Sequence, residues 1–132
     1  MAEFTLTIET EVNPTESEDK VKQAIQNIFD NVTIQTETSG KTKTMKAEAR
    51  GRETLRRLYY LLRREHIRDA ARKVLFSCLS GNTITFFLNK QVAYAGHVSF
   101  SEETAESPLG PIRVQITSEN PREIINWLAS KT

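Results

Sequence analysis

The sequence has very little cysteine, and this absence excludes several classes of protein. Cys78 is the only cysteine among 132 residues, so the chain has no internal disulfide and no metal site built from several cysteines. Only five glycines and four prolines are present, and 27% of the residues are charged, which is typical of a folded domain and not of a disordered or collagen-like chain. We therefore expect a single domain over residues 1–132.

Long apolar runs are also absent. No segment approaches the roughly 18 consecutive apolar residues that a membrane span needs. The first residues alternate between polar and apolar types, and no basic stretch followed by an apolar one predicts a signal peptide. The sequence therefore predicts a cytoplasmic protein without a membrane partner.

The apolar residues that are present predict an α+β fold. They alternate with polar residues, as in strands with one buried face, in segments 4–12, 32–36, 45–49, 84–88, 92–100 and 112–116. They recur at helical spacing in segments 21–29, 51–80 and 120–128. Because the strands follow one another too closely for alternating βαβ units, we expect a mostly antiparallel or mixed sheet of about five to six strands, with about four helices packed mainly on one face.

Turn and cap residues mark the boundaries of these segments. Ser39-Gly40 predicts a hairpin, Asn89-Lys90-Gln91 a turn, and Glu102 to Pro111 a polar loop. The spacing of Thr15 and Glu18 predicts a helix start, and Asn120 followed by Pro121 predicts another.

The segment from Gly51 to Ser80 carries two apolar stripes that do not share a face. Leu55, Leu58 and Leu62 form the first stripe, whereas the stripe that begins at Ile67 would lie almost opposite on one straight helix. A break near Glu65-His66 lets both stripes face one core, so we predict two helices.

The charges are unevenly distributed although the net charge is only +1. Ten basic residues lie between Lys46 and Lys73 against four acidic ones, which leaves +6 in this segment and −5 in the remainder. Such segregation creates a surface field that the net charge does not reveal.

The basic residues of this segment are the candidate nucleic-acid contacts. Guanidinium groups match phosphate oxygens well, and several of these arginines are spaced so that they repel one another at i,i+4. The residues predicted to contact an RNA backbone are Arg52, Arg56, Arg57, Arg63, Arg64, Arg68, Arg72 and Lys73. The alternative is a solvated helix face whose charges are neutralised within the molecule, for example by pairing of Glu53 with Arg57 and of Asp69 with Lys73.

No other motif predicts chemistry. Ser39-Gly40-Lys41-Thr42 lacks the upstream glycine of a nucleotide-binding loop, and it lies between predicted strands. Glu9 and Glu11 share a strand face without a visible catalytic partner, and their charge would repel phosphate there. His66 and His97 have no metal-ligand spacing. We expect no catalytic residue, no metal and no cofactor, and an enzyme would need a cleft that brings Glu9, Asp69, His66 or His97 together.

A second hypothesis is a self-associating domain without nucleic-acid binding. Phe86 and Phe87 are adjacent in a predicted strand, so that one large aromatic side chain lies on each face of the sheet. One of the two needs cover from a second layer, a loop or a partner subunit, and a homodimer would supply it.

Several motifs resemble one known family. They are Ile67-Arg68-Asp69-Ala70-Ala71-Arg72, Gly81-Asn82-Thr83-Ile84-Thr85-Phe86, Leu88-Asn89-Lys90-Gln91 and Ser107-Pro108-Leu109-Gly110-Pro111-Ile112. They are similar to those of an archaea-specific family of uncharacterised (UPF-class) proteins, often described as RNA-binding or exosome-subunit-like. The resemblance implies an α+β fold similar to that of the large-subunit ribosomal protein that binds the smallest ribosomal RNA. It implies no catalytic residues.

Overall fold

Seven antiparallel strands form one sheet in the computed structural model, which describes residues 3–101 and 110–131. The strands are β1 (Phe4–Val12), β2 (Thr33–Ser39), β3 (Thr42–Arg50), β4 (Leu79–Ser80), β5 (Thr83–Asn89), β6 (Phe100–Ser101) and β7 (Pro111–Ser118). The helices are α1 (Glu18–Ile28), α2 (Arg56–Arg64), α3 (Arg68–Ser77), α4 (Lys90–Tyr94) and α5 (Pro121–Leu128). A 3₁₀ turn, Arg52–Leu55, leads directly into α2.

The sheet has the strand order β2-β3-β1-β7-β5-β4, and β6 pairs with β5 outside this path. Strands β1 and β7, the first and the last long strands of the chain, are therefore neighbours at the centre of the sheet. Ile8 on β1 lies opposite Ala47 on β3 and Val114 on β7, so the buried residues of three strands meet in one row. This register follows from the alternation, because a shift by one residue would turn every apolar side chain to the other face.

The core lies between one face of the sheet and the helices. Alternate residues of β1, β5 and β7 are buried, whereas the residues between them face the open side. The helices add their apolar faces to the same core, as Ile25 of α1, Leu62 of α2 and Ile124 of α5 do. Each such side chain contributes about 1.5–3 kcal/mol by leaving water. The predicted α+β fold is confirmed.

The predicted break between two helices is also confirmed. Helix α2 ends at Arg64, α3 begins at Arg68, and His66 between them has a φ of 56°. The Ile67 amide donates to the Leu62 carbonyl at 3.0 Å, a bond typical of a helix that ends in a left-handed residue. Both apolar stripes are thereby turned toward the sheet.

Two predicted boundaries are confirmed in detail. Gly40 has a φ of +62° in the two-residue turn between β2 and β3, a value that favours glycine. Asn120 caps α5, since its Oδ1 accepts a hydrogen bond from the Glu123 amide at 3.4 Å.

The predicted strand over 92–100 is wrong, and so is the turn before it. Asn89 accepts a hydrogen bond from the Val92 amide at 3.0 Å and thereby starts α4, so only Phe100–Ser101 is extended. The alternation of apolar residues misled because this helix buries Ala93, which the pattern ignores, together with Lys90.

The structure differs from the sequence prediction at the start of α1 and at β4, and it describes only the end of the predicted loop before β7. Helix α1 begins at Glu18 with Ser17 as its N-cap, two residues after the predicted cap Thr15. Strand β4 was not predicted, because two residues are too short for a periodic pattern. The predicted polar loop from Glu102 to Pro111 lies outside the described residues except at Gly110 and Pro111.

Candidate nucleic-acid interface

Helix α2 places arginines on the side opposite its leucines. Leu58, Leu61 and Leu62 are buried against the sheet, so the opposite face is turned to solvent. The exposed residues of this face and of the preceding 3₁₀ turn include Arg52, Arg56, Arg57, Tyr60 and Arg64. We call these five residues the α2 surface.

Three of the eight candidate residues, Arg63, Arg68 and Arg72, have a structural role at the end of α5. The Arg63 guanidinium donates to the Leu128 carbonyl at 3.0 Å and to the Trp127 carbonyl at 3.3 Å. Arg72 donates to the Ala129 carbonyl at 3.3 Å. These carbonyls have no partner within the helix, and a helix C-terminus attracts cations, so the arginines hold α5 against α2 and α3.

Arg63 is the most constrained of the three. Its guanidinium lies 3.4 Å from the centre of the Tyr59 ring and also donates to the Tyr59 carbonyl at 2.9 Å. Burial lowers the pKa of Arg63, and the charge of Arg68 acts in the same direction, while the neighbouring Tyr59 and Tyr60 oppose it. The group stays protonated at neutral pH, because an arginine does not lose its proton in proteins.

Arg68 and Lys73 lie beside this cluster on α3. Arg68 donates to the Ser130 hydroxyl at 3.4 Å, so it shares the attachment of the chain end with Arg63. Lys73 is exposed. Both residues belong to α3 and are therefore not part of the α2 surface.

Three of the four arginines of the α2 surface, Arg52, Arg56 and Arg64, are held much more loosely. Arg57 is paired with Asp30, with Nε and Oδ1 2.5 Å apart, and not with Glu53 as the alternative hypothesis expected. Arg64 is two-thirds exposed and lies 4.0 Å from the Glu65 carboxylate. Within the described residues, Arg52 and Arg56 form no ion pair. Arg57 also donates to the Gln26 carbonyl at 3.1 Å and is therefore held more firmly, whereas the long contact of Arg64 is weak, so a competing anion displaces it easily.

Tyr60 is the residue of this surface that the sequence patterns did not single out. Its side chain is 62% exposed and lies between Arg56 and Arg64, one helical turn away on either side. The Tyr60 ring meets Tyr59 edge-on, with centroids 5.3 Å apart, and Tyr59 stacks on Trp127 at 5.1 Å. Its position among the arginines at i±4 was the signal that could have identified it.

Two open cavities flank Tyr60. One, of about 630 Å³, is lined by Arg52, Arg56 and Trp127. The other, of about 720 Å³, is lined by Arg57, Arg64 and the segment Ala95 to His97. Tyr60 lines both, so it forms an aromatic ridge with a pair of arginines on each side.

The open face of the sheet is polar and differs from an aromatic RNA-binding sheet. Glu9 of β1 lies opposite Lys46 of β3 and Arg113 of β7, so this carboxylate has cationic residues on both sides. Phe87 is half-buried on this face opposite Arg113, whereas Phe86 is buried in the core. The aromatic side chains available to a ligand therefore lie on the helical side.

The histidines and acidic residues are dispersed. His97 Nδ1 lies 3.4 Å from Glu65 Oε2, and the Val98 amide donates to Glu65 Oε1 at 3.4 Å. Among residues 3–101 and 110–131, no group of three or more histidine, cysteine, aspartate or glutamate side chains is arranged to hold a metal ion. In that same part of the chain, no helix has the length and apolar character needed to cross a membrane.

Comparison with known proteins identifies the family. A family model described as RNA binding matches residues 5–118. A UPF0201 protein from Sulfurisphaera tokodaii is 50% identical over 125 residues, which are 95% of this chain and 86% of that protein. The chain belongs to the UPF0201 family. The resemblance to an archaeal family of uncharacterised proteins is thereby confirmed.

Solved structures of UPF0201 proteins share the fold. The crystal structure of a UPF0201 protein from Methanococcus jannaschii is 33% identical, has a TM-score of 0.85, and the match covers 97% of this chain and 94% of that one. Mth689, a DUF54 protein from Methanothermobacter thermautotrophicus, is only 17% identical but has a TM-score of 0.66 over 98% of this chain and 99% of that one, which shows a common fold.

Proposed function

We propose that this protein binds the phosphate backbone of RNA through the α2 surface. The observation that carries the proposal is the set of four exposed arginines, Arg52, Arg56, Arg57 and Arg64, on one face of α2 and the turn before it. The RNA-binding description of the matching family model supports the choice of ligand. The proposed role is binding alone, and we assign no reaction to this surface.

Electrostatics favour an anionic ligand at this surface. Arg52 and Arg56 are four residues apart and exposed, so they repel each other by a few tenths of a kcal/mol. A phosphate group relieves this repulsion and accepts hydrogen bonds from both guanidinium forks. The carboxylates near this surface include Glu3, Asp30, Glu53 and Glu65, of which Glu3 and Glu53 are themselves exposed.

The proposed contact set is narrower than the one predicted from the sequence. Arg63, Arg68 and Arg72 bind the end of α5, so their guanidinium groups are already hydrogen-bonded. Withdrawing them from these carbonyls would leave partly buried acceptors unsatisfied, at a cost of about 1–3 kcal/mol for each group. We therefore assign phosphate contacts to the α2 surface and not to these three residues.

Fluorescence anisotropy with a labelled RNA tests the proposal. If four arginines contact phosphates on a single strand, the logarithm of the affinity should fall with the logarithm of the salt concentration with a slope of about −3. The triple variant Arg52→Ala/Arg56→Ala/Arg64→Ala should bind far more weakly and with a shallower slope. The matched control, Lys22→Ala/Lys41→Ala/Arg122→Ala, removes the same charge from exposed positions elsewhere and should retain most of the affinity.

Two results would contradict RNA binding at this surface. One is the absence of binding at low salt. The other is an equal loss of affinity in the α2 variant and in the control, which would mean that net charge alone drives association.

A second candidate function, self-association, is favoured by the free edge of β2. This strand ends the sheet, is seven residues long, and contains a single charged residue, Glu37. Ser39 and Thr42 flank a two-residue turn and form a hydrogen-bonded pair. Because hydrogen-bonded and non-hydrogen-bonded pairs alternate along an antiparallel ladder, the backbone amides of Ile34, Thr36 and Thr38 point away from β3. Such an edge is a template for another strand.

A second copy of the chain fits this edge. In an antiparallel pairing of two β2 strands centred on Thr36, Gln35 lies opposite the Glu37 of the other copy, and no like charges meet. We propose a homodimer of this form, and sedimentation velocity over a micromolar range tests it. Thr36→Lys places two ammonium groups at the symmetry axis and should give a monomer, whereas Thr117→Lys on β7 should not. A wild-type monomer at all concentrations would contradict this candidate.

A further inference from the structure

The cavity beside Arg57 and Arg64 has features that a phosphate-binding surface alone does not require. It lies between α2 and the segment that follows α4, and its volume is about 720 Å³. Besides the arginines, its lining includes Leu61, Ala95 and the ring of Tyr60. A binding site for phosphate alone would need cations and amides, not apolar and aromatic walls.

One exposed tyrosine lines this cavity, and a second lies next to its wall. Among the described residues, Tyr60 and Tyr94 are the large apolar side chains that are exposed, at 62% and 46%. Tyr60 lines the cavity, whereas Tyr94, which directly precedes Ala95 of its wall, lines another cavity together with Lys20. The Asn27 side chain, which also lines the cavity, donates to the Tyr94 carbonyl at 3.0 Å and to the Ala93 carbonyl at 3.1 Å. The position of Tyr94 relative to the cavity is thereby held.

Both tyrosine rings have a partner that orients them. The edge-on contact of Tyr60 with Tyr59, which itself stacks on Trp127, restricts the Tyr60 ring from the side of α5. The Lys20 ammonium lies 5.8 Å from the centre of the Tyr94 ring. A rigid aromatic ring binds a ligand with little loss of side-chain entropy, and here a cation accompanies each ring.

Unpaired nucleobases match this arrangement. Every base has a flat face that stacks on an aromatic ring, and single strands bind proteins by such stacking combined with a positively charged groove. In a duplex the faces of the bases are covered by neighbouring base pairs, so an exposed tyrosine gains nothing from them. Exposed aromatic rings beside cationic side chains therefore favour single-stranded over double-stranded RNA.

We propose that this cavity accepts an unpaired base of single-stranded RNA, which stacks on Tyr60 while Arg57 and Arg64 bind the adjoining phosphates, and that a further base of the same strand stacks on Tyr94 outside the cavity. The inference rests on the proposed RNA binding and adds the form of RNA that is bound. His97, which also lines the cavity, offers a hydrogen-bonding group to a base edge.

Three RNA probes of equal phosphate number test the inference by anisotropy: a single strand, a blunt-ended duplex, and a single strand whose central nucleotides are abasic. The single strand should bind at least about tenfold more tightly than the duplex, and the abasic strand should lose most of this advantage. Tyr60→Ala should lower the affinity for the single strand by about tenfold and leave duplex binding unchanged. Tyr60→Phe keeps the ring and should behave as the wild type.

The outcomes separate this inference from the proposed function. Equal binding of all three probes, or a Tyr60→Ala variant that binds the single strand normally, overturns base stacking, while sensitivity to the α2 arginine variant would still support backbone binding. If no probe binds, both proposals fail. Tyr94→Ala provides an independent test, since its ring is on another helix and its loss should reduce single-strand affinity while the melting temperature stays unchanged.

Discussion

The Lys90 ammonium lies 3.0 Å from the Glu16 carboxylate, and the Lys90 side chain is only 3% exposed. The same ammonium donates to the Glu11 carbonyl at 2.6 Å, so the first turn of α4 is joined to the end of β1 and to the loop before α1. This buried pair fixes the position of α4, and with it the cavity wall that follows.

Replacing Lys90 with methionine should strongly destabilise the protein. The change leaves the Glu16 carboxylate, itself only 10% exposed, without its buried cationic partner. Removing one member of a buried pair costs about 3–5 kcal/mol, which urea denaturation would measure. The control is Lys20→Met on the exposed side of α1, and the double variant Lys90→Met/Glu16→Leu should recover part of the loss. A loss below about 1 kcal/mol in Lys90→Met would contradict this account.

The same pair predicts a loss of stability in acid. Burial acts to raise the pKa of Glu16, but hydrogen bonds from Asn13 and Lys90, together with the charge of Lys90, outweigh it and lower the pKa below the usual 4.5. Folding therefore favours the ionised form. This contribution is complete above the pKa of the unfolded chain and is lost as the pH falls through the lower pKa of the folded chain.

Chemical denaturation at a series of pH values from about 6 to about 3 measures this dependence. In Glu16→Gln the free energy of unfolding should fall less steeply over the acidic part of the range. A wild type and a variant with parallel pH profiles would show that Glu16 does not contribute.

Arg63→Ala should weaken the attachment of α5. It removes hydrogen bonds to Leu128 and Trp127 and the contact with the Tyr59 ring, for an expected loss of about 1–3 kcal/mol in the free energy of unfolding. Arg63→Lys should not restore stability, because an ammonium group lacks the planar fork that reaches several acceptors. Arg64→Ala, an exposed neighbour, should change stability by less than about 0.5 kcal/mol, and equal effects of the two alanine variants would contradict the assignment.

Gly51→Ala should destabilise the connection between β3 and α2. Gly51 has a φ of +94° and a ψ of 161°, and an added Cβ would lie 2.5 Å from Glu53 Oε2. The expected loss is about 1–3 kcal/mol, because this backbone conformation is almost restricted to glycine. Adding Glu53→Ala removes the contact but not the dihedral strain, so it should restore only part of the stability. In Gly81→Ala, where a Cβ meets nothing within 4 Å, thermal denaturation should show a smaller effect.

The strands could be predicted where every second residue is apolar, and the helices where apolar residues recur every three to four positions. Strands β1, β5 and β7 alternate between apolar and polar residues except at Thr10 and Phe87, and the change of stripe after Leu62 required a break that the structure places at His66. The segment after Asn89 could not be assigned in this way, because a helix of five residues is too short to show a helical period. Its formation depends on a side-chain cap and on the burial of Lys90 against distant partners.

The candidate site could be predicted only in part. The accumulation of arginines was visible in the sequence, but their division into two groups was not, because Arg63 and Leu128 are 65 residues apart along the chain. Only the packing of α5 shows which guanidinium groups are engaged. Tyr60 could have been recognised from its helical spacing, whereas the relation of Tyr94 to the same cavity arises from tertiary structure.

The binding of α5 by Arg63, Arg68 and Arg72 has a consequence for any shortened form of the chain. Proteolytic removal of the segment from Trp127 onward would delete the carbonyl and hydroxyl acceptors that mask these three cations. The truncated protein would then display latent positive charge next to α2. Its affinity for polyanions would rise because of these three cations and not because of the α2 surface. A binding measurement therefore reports on the α2 surface only if the last six residues of the protein are intact.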